Sequence, residues 1–167
     1  RRVGKTELCI QFAKDRPHLY FLCEKTIGAH QLAKFTEAAA AFFKDEFLPQ
    51  DGFKDWETAL KYIAKKNTKL ALILDEFPYL IETDPAIPST FQKAWDLYLK
   101  NSPVCLILLG SSISMMERTV LHYKAPLYGR RTGQLLIQPF KFKELQKLFP
   151  KASFEERLAI YSIVGGT

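Results

Sequence analysis

Two short segments of this chain have the residue types needed to bind and hydrolyse a nucleoside triphosphate. The first is Gly4-Lys5-Thr6, at the start of a stretch with helical character. In a phosphate-binding loop, G-x-x-x-x-G-K-[ST], backbone N–H groups at a helix N-terminus hold phosphate, the lysine contacts the outer phosphates and the hydroxyl ligates Mg²⁺. The tripeptide alone is a weak signal, because an ordinary basic turn before a helix fits it equally well.

The second group decides between these two interpretations. The apolar run 70–74 ends in Asp75 and Glu76. Such a run is typical of a parallel strand buried on both faces, and ligands of open α/β sheets bind beyond the carboxyl ends of the strands. We therefore expect both acids beside Lys5 and Thr6, with Asp75 holding Mg²⁺, usually through water, and Glu76 orienting and polarising the attacking water. A strand end with two solvated acids is the minor alternative.

Apolar runs alternate with helical periodicity along the chain, which predicts an α/β protein with three layers. Strands are predicted at 19–23, 70–74, 104–109 and 135–137. Helices are predicted after Thr6, over 32–47, 53–63, 91–98 and 114–121, and twice more near the C-terminal end. Ser89 is predicted to cap the helix that contains Phe91. The proline-containing stretch 78–88 is predicted to be a loop.

Length and composition indicate one globular domain, since the chain has 167 residues of which 47% are hydrophobic. No apolar stretch approaches the length of a membrane helix, and no signal peptide is visible. The cysteines at 9, 23 and 105 lie in apolar segments without metal-ligand spacing. We expect them to be buried, reduced thiols, and the protein to be cytoplasmic and without a membrane partner.

The net charge of +6 permits binding to nucleic acid but does not require it. The lysines are spread over amphipathic segments, for example 61–69 and 141–151. Arginine and aromatic residues do not alternate as they do in a nucleic-acid groove. Solvated helix faces are therefore the favoured explanation of the charge.

With these residues in view, the sequence resembles the archaeal-type ATPase family of P-loop proteins, which is related to the AAA+ and STAND ATPases. The resemblance rests on the segments 1–8, 72–77, 108–112 and 125–133. The last segment is the most specific to this family, and the first two are shared by many P-loop proteins. The resemblance implies that 1–167 is a P-loop NTPase core, an α/β/α sandwich with a parallel sheet of strand order 5-1-4-3-2.

In that order the first strand and the first loop glycine precede Arg1, so strand 1 is absent from the sequence. A small helical or winged-helix domain would follow Thr167. A missing inner strand leaves two rows of backbone groups unpaired. We therefore expect that the 167-residue piece alone does not fold stably.

The resemblance also implies roles for particular residues. Thr6 and Asp75 would ligate Mg²⁺, and Glu76 would activate water. The nucleotide phosphates would contact the segment Val3, Gly4, Lys5, Thr6, Glu7 and Leu8.

The resemblance implies two further catalytic roles for residues later in the sequence. Ser111, or its neighbour Ser112, would sense the γ-phosphate and help to position water, with a turn serine as an equally good explanation. Arg130 or Arg131 would act as an arginine finger, often on the nucleotide of a neighbouring subunit. A surface salt bridge is the favoured alternative for these arginines.

The function implied is Mg²⁺-dependent ATP binding and hydrolysis coupled to conformational change. One alternative is a nucleotide-gated signalling switch or scaffold with slow turnover, and another is a DNA-associated ATPase. The expected partners are ATP, further copies of the chain, and DNA or a protein bound through the region beyond Thr167. GTP in place of ATP stays open, because no residue that reads the base can be assigned.

Overall fold

The structure, a computed structural model, describes residues 3–166. Within this range the sheet has three parallel strands, β1 (His18–Leu22), β2 (Leu70–Asp75) and β3 (Val104–Leu108), in the order β1-β2-β3. The register aligns Leu19 of β1 with Leu72 of β2, and Leu72 with Leu106 of β3. The carboxyl ends of all three strands therefore meet at one edge of the sheet.

Helices make up most of the remaining secondary structure. The α-helices are α1 (Lys5–Ala13), α2 (Gly28–Phe43), α3 (Leu48–Asp51), α4 (Trp56–Lys65), α5 (Pro78–Thr83), α6 (Ile87–Ala94), α7 (Ile113–Met116), α8 (Leu145–Leu148) and α9 (Phe154–Val164). One π-helical turn follows α6 at Trp95–Leu99, another follows α7 at Glu117–Leu121, and a 3-10 turn at Phe142–Glu144 precedes α8. Across residues 3–166 we find no helix whose length and apolar character would let it cross a membrane.

Both faces of the sheet are covered by helices, but unequally. Leu70, Leu72 and Leu74 of β2 belong to a large core that also contains residues of α2, α4, α5 and α6. The alternate residues of the strand, Ala71 and Ile73, lie in a smaller cluster with Ala13 of α1. Every residue of β2 is buried, which explains why its sequence is apolar on both faces. The predicted α/β class with a parallel sheet is confirmed.

Aromatic side chains fill the larger core. The Phe35 ring of α2 lies 4.9 Å from the Trp56 ring of α4 and 5.2 Å from the Phe21 ring of β1, measured between centroids. Phe35 and Trp56 each lie at helical spacing from other apolar residues of their own helix, and their burial supports the prediction that they are core residues rather than a surface for stacking bases. This core packs α2 and α4 against the sheet.

The predicted strand at 135–137 is wrong, because these residues form no strand and Leu135 is 81% exposed. Among residues 3–166, the sheet consists of β1, β2 and β3, and none of them pairs with this segment. A lone extended segment without such a neighbour exposes its backbone groups to water instead of pairing them. The order β3-β2-β1 agrees with the 4-3-2 part of the implied 5-1-4-3-2 order.

The proline-containing stretch is helical, contrary to the prediction of a loop. Pro78 begins α5, where the fixed φ of proline suits the first turn and its missing N–H is not needed. The second helix of the stretch, α6, begins at Ile87, so that Ser89 lies inside it and does not cap it. The sequence predicted a loop because proline interrupts a helix in its interior. At the start of a helix proline is tolerated, and the helices here begin close to their prolines.

Helix α2 also ends earlier than predicted. Lys44 adopts the left-handed conformation, φ 53° and ψ 43°, and its N–H donates to the carbonyl of Ala40. The chain therefore leaves the helix after Phe43, and Phe47 is 76% exposed instead of continuing the apolar face. Non-glycine residues rarely occupy this conformation, so the sequence offered no signal for the stop.

The prediction that all three cysteines are buried is wrong for two of them. Cys23 is buried, Cys9 is half-buried and Cys105 is exposed. Cys105 lies on β3, an edge strand of the sheet within residues 3–166, and three of the five residues of β3 are only half-buried. The prediction of a fully buried strand at 104–109 fails for the same reason, since the edge position leaves one side of β3 uncovered.

Candidate functional site

A cleft of about 590 Å³ opens at the carboxyl edge of the sheet, where the start of α1 faces the ends of β2 and β3. A volume of this size suits a nucleotide-sized ligand. The lining residues are Val3, Gly4, Lys5, Thr6, Glu7, Asp75, Glu76, Tyr79 and Ser111. The structure thus brings together all of the predicted site residues except Leu8 and Arg130. Tyr79 was not predicted.

The N-terminus of α1 forms one wall of this cleft. Gly4 is the N-cap residue and has φ +80°, a left-handed conformation that glycine adopts without strain. No side chain caps the helix, so N–H groups of its first turn remain available to an anion. Leu8 is not brought into the cleft, because its N–H donates to the Gly4 carbonyl at 2.9 Å and its side chain is exposed.

Lys5 contributes a positive charge to the same wall. Its side chain is half-buried in the cleft. None of the ion pairs formed within residues 3–166 involves Lys5. A phosphate bound at the start of α1 would therefore meet both the helix dipole and this ammonium group.

Asp75, at the end of β2, is only 3% exposed and accepts three hydrogen bonds. Its Oδ2 accepts from the Thr6 hydroxyl at 2.6 Å and from the Tyr20 hydroxyl at 2.9 Å. Its Oδ1 accepts from the backbone N–H of Glu76 at 2.8 Å. The contact with Thr6 joins the two predicted Mg²⁺ ligands, which are 69 residues apart in the sequence.

The donor chemistry of this pair fits Mg²⁺ bound together with a nucleotide. A hydroxyl and a carboxylate are hard oxygen ligands, and Mg²⁺ is commonly held by one or two such groups, by substrate phosphates and by water. Across residues 3–166, no group of three or more His, Cys, Asp or Glu side chains is placed to hold a metal ion. A metal cage built from protein groups alone is therefore not what these residues form.

Tyr20 was missed by the sequence analysis, although a signal for it exists. It stands between Leu19 and Phe21 in an apolar strand, on the opposite face from both. A phenol that points into a largely apolar environment usually has a hydrogen-bond partner. A tyrosine within this apolar strand therefore indicated an acceptor nearby, but only the structure shows that the acceptor is Asp75.

Glu76 leaves the line of β2 and turns toward the end of β3. Its φ is +52°, which is uncommon for a residue with a side chain. Its Oε2 accepts from the backbone N–H of Ser111 at 3.1 Å and from the Ser111 hydroxyl at 2.9 Å. Ser111 therefore lies where the resemblance implies, past the neighbouring strand and in contact with the predicted water-activating carboxylate.

The loop that carries Ser111 approaches its neighbours closely at Gly110. A Cβ atom at this position would lie 2.7 Å from Cγ of Met116 and 2.9 Å from Cγ of Pro78. The carbonyl of the preceding residue, Leu109, accepts from the N–H of Phe77 at 2.8 Å. A glycine at 110 thus allows the ends of β2 and β3 to come within hydrogen-bond reach.

The two carboxylates and burial keep the nearby thiol and phenol groups neutral. Burial, together with the charges of Asp75 and Glu76, raises the pKa of the Cys23 thiol to about 12. Burial and the charge of Asp75 also raise the pKa of Cys9. The pKa of Tyr20 is raised by burial and by its hydrogen bond to Asp75. Tyr20 is therefore a hydrogen-bond donor at physiological pH.

Arg130 does not line the cleft. Its Nη2 lies 2.9 Å from Oδ2 of Asp96, and its Nε donates to both oxygens of that carboxylate at 3.2 Å. Its Nη1 donates to the carbonyls of Pro126 and Tyr128. The same arginine lowers the pKa of Asp96 through the hydrogen bonds. Arg131 places its guanidinium over the ring of Tyr128, 5.5 Å from the centroid.

Comparison with solved structures shows the same fold elsewhere. A Walker-type ATPase of Pyrococcus abyssi aligns with a TM-score of 0.70 and 21% sequence identity, over 99% of this chain and 57% of that one. At this identity the likeness shows the fold alone, and it confirms the predicted P-loop α/β fold.

Comparison with curated sequences yields relatives from Methanocaldococcus jannaschii. An uncharacterized protein of Methanocaldococcus jannaschii is 43% identical over 166 residues, which are 99% of this chain and 36% of the relative. A second uncharacterized protein of the same organism is 45% identical over 47 residues, 28% of this chain and 46% of that protein. This chain thus spans less than half the length of either relative.

A family model decides the classification. The model describes an ATPase domain predominantly from Archaea, and it matches residues 1–167. The segments on which the sequence resemblance rested all lie within this match. The chain therefore belongs to this archaeal ATPase domain family.

Proposed function

We propose that this domain binds ATP together with Mg²⁺ and hydrolyses the terminal phosphate, with the two nucleotide states coupled to a change of conformation. The observation that carries the proposal is the 2.6 Å contact between the Thr6 hydroxyl and Asp75. This contact joins the Gly-Lys-Thr segment to the Asp-Glu pair in the lining of one cleft. Membership of the ATPase family supports the same conclusion.

In the proposed mechanism the start of α1 and Lys5 bind the phosphates. Free N–H groups of the first helical turn and the ammonium group both favour an anion there. Thr6 and Asp75 would hold Mg²⁺, which when bound neutralises charge on the phosphates. Since Mg²⁺ takes its other ligands from phosphate and water, two protein oxygens are sufficient.

Glu76 orients the attacking water in this proposal. Ser111 occupies Oε2 with two hydrogen bonds and so fixes the carboxylate. Hydrogen bonds to Oε1 from residues 3–166 are absent from the structure, so this oxygen is available to a water molecule. A carboxylate held in one orientation can align the water for in-line attack and accept its proton. Ser111 would position Glu76 and, through it, respond to the γ-phosphate.

The test is Glu76→Gln in the full-length protein. We expect turnover at saturating ATP to fall by about 100-fold or more, because the amide cannot accept a proton, whereas ATP affinity stays within a factor of about two. Phosphate release measures turnover, and a fluorescent nucleotide measures binding. Glu37→Gln is the matched control, since Glu37 is an exposed glutamate of α2 remote from the cleft, and it should behave as wild type.

One outcome would contradict the role of Glu76, and another would contradict hydrolysis itself. Wild-type turnover in Glu76→Gln would remove Glu76 from the mechanism. Nucleotide binding without turnover in the wild type would instead favour a nucleotide-gated switch. The switch is the second candidate, since turnover would be slow if the two hydrogen bonds from Ser111 held the Glu76 carboxylate away from the attacking water.

The proposed function also includes the choice of nucleotide base and the binding of a partner such as DNA. ATP and GTP titrations of the wild type would establish which base is preferred. Adding duplex DNA to the turnover assay tests the DNA-associated alternative, which the net charge of +6 allows. Stimulation by DNA at physiological salt would favour that alternative, whereas stimulation lost on adding salt would indicate only non-specific contact with phosphate.

A further inference from the structure

We propose that Tyr20 is a positioning residue of the Mg²⁺ site, whose hydroxyl fixes the orientation of the Asp75 carboxylate. This inference rests on the proposed function, in which Asp75 and Thr6 hold the ion. Tyr20 lies outside the lining of the cleft and would not touch the nucleotide. Its effect would pass through the 2.9 Å hydrogen bond to Oδ2 of Asp75.

The strand register explains how this contact arises. Tyr20 of β1 is aligned with Ile73 of β2, and Leu22 is aligned with Asp75. Tyr20 and Asp75 are therefore diagonal neighbours on parallel strands, a separation that a long aromatic side chain can span. Both residues face the side of the sheet covered by α1, the helix that carries Thr6. Phenol, carboxylate and threonine hydroxyl thus converge from three separate elements.

Of the three groups that donate hydrogen bonds to Asp75, Tyr20 neither binds the metal nor forms part of a backbone turn. A carboxylate has about four positions at which it accepts hydrogen bonds, and three are taken by Thr6, Tyr20 and the N–H of Glu76. Thr6 must turn a lone pair toward Mg²⁺, and the Glu76 N–H belongs to a backbone turn with positive φ. Tyr20 can therefore hold the carboxylate in the same orientation with and without a ligand. One acceptor position then remains for a water bound to the metal.

The ring of Tyr20 is held by packing that does not depend on its hydroxyl. Tyr20 packs against the smaller core cluster of Ala13, Ala71, Ile73 and Leu109. Tyr20→Phe keeps this ring and removes only the hydroxyl. The substitution therefore tests the hydrogen bond with little change in packing.

The experiment measures Mg²⁺ dependence by binding as well as by turnover. In the full-length protein, a non-hydrolysable ATP analogue with a fluorescent label is titrated at rising Mg²⁺, and the same titration is done in EDTA. Bound Mn²⁺, a paramagnetic substitute for Mg²⁺, is measured by EPR in the presence of the analogue. For Tyr20→Phe we expect about 10-fold weaker Mg²⁺ and Mn²⁺ binding, the size typical of lost outer-shell partners, with unchanged analogue affinity in EDTA.

Tyr62→Phe is the matched control. Tyr62 donates a hydrogen bond to Asp45 at 2.6 Å, so this variant also loses a tyrosine–aspartate hydrogen bond. Neither residue lines the cleft. We expect its Mg²⁺ dependence to match that of the wild type. Melting temperatures of both variants show whether either substitution disturbs the fold.

Several results would overturn the inference. An unchanged Mg²⁺ midpoint in Tyr20→Phe would show that the hydroxyl does not act on the metal site. Equal weakening of analogue binding with and without EDTA would assign Tyr20 a purely structural role. If the wild type binds no nucleotide at any Mg²⁺ concentration, the proposed function fails as well, and that failure is seen before any variant is compared.

Discussion

At the scale of single residues, the adjacent acids Asp75 and Glu76 have different environments. Asp75 is buried and accepts hydrogen bonds from two side-chain hydroxyls. Glu76 is half-buried and is held through one oxygen by Ser111. Carboxylates placed in different surroundings can take different roles in one reaction. This division supports assigning the metal to Asp75 and the water to Glu76.

A prediction at this scale concerns Cys23, which is 1% exposed and lies just beyond the end of β1. Its folded pKa of about 12 lies above the ordinary value of 9.0, so folding favours the neutral thiol. This contribution to stability is fully present below pH 9 and is lost as the pH rises toward 12. The stability difference between wild type and Cys23→Ala should therefore narrow over that range.

Urea unfolding of both proteins, below pH 9 and again between pH 9 and 12, measures this difference. The measurement is made under reducing conditions so that oxidation of thiols does not contribute. A difference that stays constant over the whole range would show that the buried thiol does not titrate with a raised pKa.

At the scale of elements, the geometry of the site depends on how the segments after β2 and β3 approach each other. Gly110 is the point of closest contact, with α5 on one side and α7 on the other. The N–H of Phe77 and the carbonyl of Leu109 join the two segments beside it. The contact between Glu76 and Ser111 is therefore a consequence of backbone packing at a position with no room for a side chain.

We predict that Gly110→Ala destabilises the protein by about 1–3 kcal/mol, as overpacking of a tight contact does. The new methyl group would meet Met116 and Pro78 at less than 3.0 Å. Chemical denaturation measures the loss, and turnover of the folded fraction should fall because Ser111 is displaced from Glu76. Gly133→Ala is the control, since a Cβ atom at 133 would have no heavy atom within 4 Å.

An unchanged free energy of unfolding in Gly110→Ala would show that the neighbouring side chains move aside without cost. Met116 is flexible, so Pro78 is the neighbour that decides the outcome. The control should change stability by no more than about 0.5 kcal/mol, as substitutions away from special features usually do.

At the scale of the whole molecule, the chain packs tightly around β2 and leaves apolar surface elsewhere. Exposed large apolar residues occur on α1 and in the region after residue 134, among them Leu135, Leu136 and Ile163. The chain also covers only part of its M. jannaschii relatives and of the P. abyssi ATPase.

The arginine-finger role of Arg130 would concern more than one copy of the chain, because such a residue often acts on the nucleotide of a neighbouring subunit. Its guanidinium is bound to Asp96 and to two carbonyls of its own chain. We therefore expect both Arg130→Ala and Asp96→Ala to lower the melting temperature, and Arg130→Ala to lower it more, because only that variant also loses the hydrogen bonds to the carbonyls of Pro126 and Tyr128. An arginine finger would add a loss of turnover of about 10³-fold or more in Arg130→Ala alone.

Melting curves and phosphate release at saturating ATP separate these roles. If Arg130→Ala loses turnover while its melting temperature stays at the wild-type value, the ion pair with Asp96 is not the main role of Arg130. Equal losses of turnover in both variants would instead show that the effect arises from disturbed structure.

Much of the fold was predictable because its signals are local. The apolar run of β2, the helical spacing of Phe35 and the proximity of Gly4-Lys5-Thr6 to Asp75 follow from short patterns of residue type. The prediction failed where the outcome depends on neighbours. Residues 135–137 have the composition of a strand, but a strand needs a paired neighbour to form.

The sequence by itself determined that this is a P-loop α/β domain and that Lys5, Thr6, Asp75 and Glu76 face one cleft, since strand ends and helix starts have recognisable patterns. Only the tertiary structure decided how these groups are held. Tyr20 reaches Asp75 across 55 residues of sequence, and Ser111 reaches Glu76 across 35. Such contacts depend on strand register and on the closeness of backbone segments, which no local pattern of residues encodes.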